Sequence, residues 1–143
     1  MALFKTRISP GNVNLVLAAS GCRSGFGFLS LAIDSFDYFV LDQILERFRP
    51  ALVCTEINEV IPPPMPFTVV YGEKQTWAGG YFQGQSLTKC YELCIKHRYK
   101  ILELSYNNLF LVPDESEVGP ALSPKVAYRE GYANKKDRRQ RFP

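Results

Sequence analysis

The hydrophobic pattern along this chain switches between the spacing of an amphipathic helix and the unbroken runs of a buried strand. Ser9-Pro10 opens the first element: a capping serine and a proline in the first turn start a helix, which Val13, Leu15, Val16 and Leu17 carry to about Ser20. Gly21 to Gly27 is a loop. Phe28 to Ile33 is almost wholly apolar, the pattern of a strand buried on both faces. From about Asp37 to Phe48, the residues Phe39, Val40, Ile44, Leu45 and Phe48 share a helical stripe, and Arg49-Pro50 stops it. Ala51 to Ile57 is a second apolar strand. Strand, helix and strand within about thirty residues predict a right-handed βαβ unit and a parallel sheet.

Pro62 to Gln85 breaks the pattern. It holds four prolines and four glycines, together with Phe67, Tyr71, Trp77, Tyr81 and Phe82. A structureless stretch of this length in a compact domain is often a lid or a binding loop. Ser86 then caps a helix to about Arg98, whose end carries Lys96, His97 and Arg98 opposite the negative pole of the helix. Ile101 to Ser105 and Leu109 to Val112 read as strands joined at Asn107-Asn108, an antiparallel hairpin closing one edge of the sheet. After Pro113 the chain turns polar and is expected to be extended. This divides it into an α/β domain over residues 1–114 and a polar, basic tail over 115–143.

With 143 residues the chain suits one domain, and 46% hydrophobic against 22% charged residues excludes general disorder. No apolar run approaches the roughly 18 to 20 residues that span a bilayer. Lys5 and Arg7 ahead of Val13 to Ser20 and Cys22 imitate a lipoprotein signal, but Pro10, Gly11, Asn12 and Asn14 interrupt it. A cytoplasmic protein is expected. The cysteines fit that expectation: Cys54 lies in a strand-like run, Cys90 and Cys94 lie four apart on a helix, and no CxxC spacing occurs. The net charge of +3 is unevenly spread. From Lys125 onward seven basic residues face only Glu130 and Asp137, a net +5, leaving −2 for the rest. Only the tail has the charge to contact an acidic partner or nucleic acid.

In open α/β sheets ligands bind beyond the carboxyl ends of the strands. The first strand runs into Asp34-Ser35-Phe36-Asp37-Tyr38, the second into Glu56-Ile57-Asn58-Glu59. If the strands are neighbours, Asp34, Glu56 and Asn58 converge. Two carboxylates and an amide oxygen suit a divalent metal such as Mg²⁺ or Ca²⁺, or substrate hydroxyls. Asp37 has a structural alternative as a helix cap. Tyr71, Trp77 and Tyr81 are substrate-contact candidates, with covering the open end of the sheet as their alternative. A single histidine, His97, and no nucleophile elbow make a hydrolase triad improbable. Gly21, Gly25 and Gly27 precede the first strand, so they are not a dinucleotide fingerprint.

These segments resemble a known family. Leu29-Ser30-Leu31-Ala32-Ile33-Asp34-Ser35-Phe36-Asp37-Tyr38 resembles the strand and turn of FkbM-like S-adenosylmethionine-dependent methyltransferases. Arg49-Pro50 with Val53 to Asn58, Ile61-Pro62-Pro63, Phe67-Thr68-Val69, Tyr81 to Leu87 and Asn107 to Val112 follow in the same order. The likeness covers roughly residues 8 to 114. It departs at Ala32, where that group has its first acid; Asp34 and Asp37 are kept.

The resemblance implies a partial Rossmann-like methyltransferase fold, α/β, whose strands are the fourth to seventh of a seven-stranded sheet. It implies methyl transfer from S-adenosylmethionine to an oxygen or nitrogen nucleophile, with Asp34, Asp37 and Glu56 as catalytic candidates and Asn58, Tyr71, Trp77 and Tyr81 against substrate. The strands that carry the cofactor's glycine loop are missing. The chain is therefore expected to be inactive alone and to need another chain, or a second copy, to complete its sheet. The rival reading is a non-catalytic interaction subunit of a larger assembly.

Overall fold

The computed structural model describes residues 3–33, 35–72 and 80–141. Its centre is a four-stranded sheet in the order β1-β2-β4-β3, made of β1 (Phe28–Leu31), β2 (Leu52–Glu56), β3 (Tyr99–Ser105) and β4 (Asn108–Pro113). β1 and β2 pair in parallel, with Phe28 opposite Leu52 and Leu31 opposite Thr55. β4 pairs antiparallel with both β2 and β3. β1, β2 and β3 therefore run one way and β4 alone runs back. The expected hairpin is present, with its second strand inside the sheet and its first at the rim.

Two helices cover one face. α2 (Asp37–Arg47) joins β1 to β2, and α3 (Leu87–His97) precedes β3. Val40, Leu41, Ile44 and Leu45 of α2 and Leu87, Cys90, Leu93 and Cys94 of α3 share one apolar core with Leu29, Leu31, Val53, Ile101, Leu109 and Leu111 from the strands. Lys96 of α3 donates to Asp42 of α2 at 2.7 Å, fastening the helices side by side. Ser86 caps α3 by accepting from the Lys89 amide. At its far end Arg49 donates to the His97 and Arg98 carbonyls at 3.0 and 3.1 Å, satisfying acceptors that a helix end leaves open.

β1 differs from its expectation. It ends at Leu31 and buries only alternate residues: Leu29 and Leu31 face the core, while Phe28 is 56% exposed and Ser30 is exposed. The physical reason is position. β1 lies at the rim of the sheet, and α2 and α3 cover only the Leu29 and Leu31 side. Its apolar run is thus not the signature of two-sided burial.

The first helix also starts later than its sequence suggests. α1 (Val13–Ala19) has Asn12 at its N-cap, preceded by a turn in which the Ser9 carbonyl accepts from the Asn12 and Val13 amides. Ser9 and Pro10 lie in that turn, before the helix, and the Asn12 side chain reaches back to accept from the Ser9 amide at 2.8 Å. α1 packs on α2, where Asn14 donates to the Gln43 carbonyl.

The segment after Pro113 is basic but not extended, which corrects the sequence reading. Leu122 bridges to Ile101, α4 (Pro124–Tyr128) buries Ala127, and a π-helical turn over Arg129–Ala133 follows, then α5 (Arg138–Arg141). Gly131 makes the close approach possible. A Cβ there would lie 2.0 Å from the Leu104 carbonyl oxygen, so no larger residue fits without displacing β3 or the turn. The Gly131 carbonyl accepts from the Tyr106 amide at 3.0 Å, and the Tyr128 hydroxyl donates to the Glu59 carbonyl at 2.7 Å. Among the described residues no helix is long and apolar enough to cross a membrane.

Candidate functional site

Because β1, β2 and β3 run parallel, their carboxyl ends meet on one edge, and the β3–β4 turn joins them there. A cavity of about 240 Å³ opens at that edge. Glu56 and Asn58 line it from the end of β2, Asp37 from the start of α2, Asn107 from the β3–β4 turn, and Gln83 and Gly84 from the loop before α3. The structure thus brings Asp37, Glu56 and Asn58 together. Asp34, the third member of the predicted cluster, lies outside the described residues, as does Trp77.

Backbone groups position the Asp37 and Asn58 side chains, whereas the Glu56 carboxylate meets the side chain of Asn107. Asp37 is buried, and its carboxylate accepts from the Ile33 amide at 3.1 Å and the Ser35 amide at 3.3 Å. It is not the cap of α2; Phe36 holds that place without a side-chain bond. Instead Asp37 sits in the first turn, where its charge suits the positive pole, and ties the end of β1 to the helix start. Glu56 accepts from Asn107 at 3.5 Å, and its carbonyl accepts from Gln85 at 3.2 Å.

Asn58 commits every polar atom of its side chain. Its Nδ2 donates to the Tyr81 carbonyl at 2.7 Å and the Gln83 carbonyl at 3.0 Å, and its Oδ1 accepts from the Val60 amide. It therefore fixes the loop that forms the far wall. Tyr81 is held by its carbonyl while its ring is 75% exposed. Tyr71 lies apart, edge-on to Phe36 at 5.1 Å in a second cavity with Arg7 and Ser9.

Sequence reasoning missed Gln83, Gly84 and Asn107. Asn107-Asn108 carried a signal, read only as a turn; its place beside the β2 end depends on β4 inserting next to β2, which local pattern does not encode.

Other chemistries find little support. Among the described residues no group of three or more His, Cys, Asp or Glu side chains is placed to hold a metal ion. All four cysteines are free; burial pushes the Cys94 thiol up to about 12 and raises Cys90 as well, so neither is a nucleophile at neutral pH. His97 bonds Asp42 at 2.6 Å between α2 and α3, with a side chain only 8% exposed. The β1–α2 turn, residues 32–36, contains no glycine.

Comparison with family models, with characterised proteins and with solved structures returns no match.

Proposed function

We propose that this chain is the acceptor-substrate half of an FkbM-like methyltransferase domain, unable to bind S-adenosylmethionine by itself. One observation carries the reading: three strands running the same way end on one edge, and Asp37, Glu56 and Asn58 line a cavity at that edge. Ligands of open α/β sheets lie there. The motif order from Leu29 to Val112 supports the family. Methyl transfer to an oxygen or nitrogen nucleophile needs a group that orients the acceptor and takes its proton; Glu56 and Asp37 are the residues for it, Asp34 a third. Calorimetric titration of S-adenosylmethionine into the isolated chain tests the incompleteness. No heat of binding is expected, and a micromolar dissociation constant overturns it.

A second reading, an interaction subunit, is favoured by the rim position of β1. Phe28 is 56% exposed and Leu52 and Cys54 beside it are half-buried, on the face opposite α2 and α3. Strand edges of this kind recruit further strands. On either reading further strands are expected to pair with β1. Sedimentation of the purified chain tests this: self-association or instability is expected, and a cooperative monomer at high concentration refutes it.

A further inference from the structure

We propose that the C-terminal segment is a strap that sets the candidate cavity: it holds Tyr106 in a left-handed backbone conformation and, through Tyr106, fixes Asn107 against the end of β2. This rests on the reading of the cavity as the functional site and adds what controls its shape.

The turn between β3 and β4 has two residues, Tyr106 and Asn107, set between the paired Ser105 and Asn108. Tyr106 has a φ of 58°, in the left-handed region, and Asn107 does not share it. Hairpin turns with a positive φ at the first central position take glycine there, because a Cβ crowds the backbone. A tyrosine in that place is strained, and such strain persists only where the surroundings enforce it.

The surroundings that enforce it belong to the C-terminal segment. The Tyr106 amide donates to the Gly131 carbonyl at 3.0 Å. The Tyr106 hydroxyl meets both oxygens of the Asp137 carboxylate, at 2.8 and 2.9 Å. Lys135 Nζ lies 5.5 Å from the centroid of the Tyr106 ring, within cation–π range. Backbone, ring and hydroxyl are thus each engaged by one stretch of chain, residues 131–137.

Tyr106 leads directly into Asn107, which lines the cavity. The Asn107 carbonyl accepts from the Ile57 amide at 2.8 Å. Its side chain donates to Glu56 at 3.5 Å and accepts from Asn108 at 3.2 Å. A change of φ at Tyr106 redirects the chain that enters Asn107 and draws it away from these partners. The same segment reaches a second lining residue, because the Tyr128 hydroxyl donates to the Glu59 carbonyl at 2.7 Å. The seating of one segment is therefore linked to the cavity at Asn107 and at Glu59.

The test is hydrogen exchange on the full isotope-labelled chain, read at the Ile57 amide relative to the Leu111 amide in the middle of the sheet. Gly131→Ala unseats the segment and should raise relative exchange at Ile57 at least about tenfold, the scale of releasing one left-handed tyrosine. Asp137→Asn weakens the same seating without a change of size and should act in the same direction. Adding Tyr106→Gly to either variant should cancel most of that rise, because glycine keeps a left-handed turn with no strap to hold it. A rise at Ile57 that is equal with and without Tyr106→Gly overturns the proposal, since the segment then acts on the sheet as a whole. Exchange that rises at residue 106 while Ile57 stays unchanged also overturns it. If Gly131→Ala does not fold, Asp137→Asn carries both comparisons. No substrate or cofactor enters these measurements, so this proposal and the methyltransferase reading fail separately.

Discussion

Replacing Gly131 by alanine tests how firmly the C-terminal segment is seated on the sheet. The added Cβ would lie 2.0 Å from the Leu104 carbonyl oxygen, 2.6 Å from its carbonyl carbon and 2.7 Å from its Cβ. Two of the three atoms are backbone, so no rotamer change relieves the contact; the π-helical turn or β3 must move. Overpacking of this kind costs about 1–3 kcal/mol. Moving the turn also stretches the bond from the Tyr106 amide to the Gly131 carbonyl, now 3.0 Å, a net loss of about 1 kcal/mol. The expected destabilisation is about 3 kcal/mol, which for a chain of this size lowers Tm by about 10 °C. Thermal unfolding by circular dichroism measures it, and hydrogen exchange at the Tyr106 amide separates local detachment from global loss. Gly27→Ala is the control, because a Cβ there meets nothing within 4 Å, and it should stay within about 0.5 kcal/mol of the parent. A Gly131→Ala variant as stable as that control, with unchanged exchange at Tyr106, refutes the seating.

Asn58→Ala removes donors to Tyr81 and Gln83 and an acceptor for Val60, so a loss of about 2–3 kcal/mol is expected, with faster exchange at the Val60 amide; unchanged exchange there would show that Asn58 does not hold the wall. Tyr128→Phe should cost about 1 kcal/mol through its bond to the Glu59 carbonyl, read as a lower denaturant midpoint; an unchanged midpoint shows the bond adds nothing. The bond from Arg49 holds the Glu115 carboxyl down to about 2 from an ordinary 4.5. A depressed carboxylate stabilises above its unfolded value, and that contribution fades as pH falls from about 4.5 through about 2. Glu115 is fully exposed, so the effect is small; denaturant midpoints across that range should depend on pH less in Glu115→Gln than in the parent, and an equal dependence refutes the assignment.

Much of the central fold was legible because it is written in local periodicity. The stripe of Val40, Leu41, Ile44 and Leu45, the runs around Val53 and Leu111, and the Ser86 cap each state an element within a dozen residues. Apolar character alone misled at β1, where Phe28 sits in an apolar run yet faces outward; which face is covered depends on where α2 and α3 come to lie. The C-terminal segment misled for a related reason. Its composition is polar and basic, and its attachment depends on one glycine, a few hydroxyl bonds and the scattered apolar contacts of Leu122, Ala127, Tyr128 and Tyr132 with the core. At the candidate site, position at a strand end was enough to find Glu56 and Asn58. It was not enough for Asn107, whose place follows from strand order, or for the roles of Asp37 and Asn58 in holding loops.

The proposal that this chain is one half of a methyltransferase domain is tested by calorimetry of S-adenosylmethionine in three parallel cells. The cells hold this chain alone, a companion polypeptide carrying a glycine-rich strand and loop alone, and the two mixed. Saturable binding at one cofactor per pair is expected in the mixture, and none by this chain alone. Micromolar binding by this chain alone, or a mixture that binds no better than the companion by itself, would contradict it.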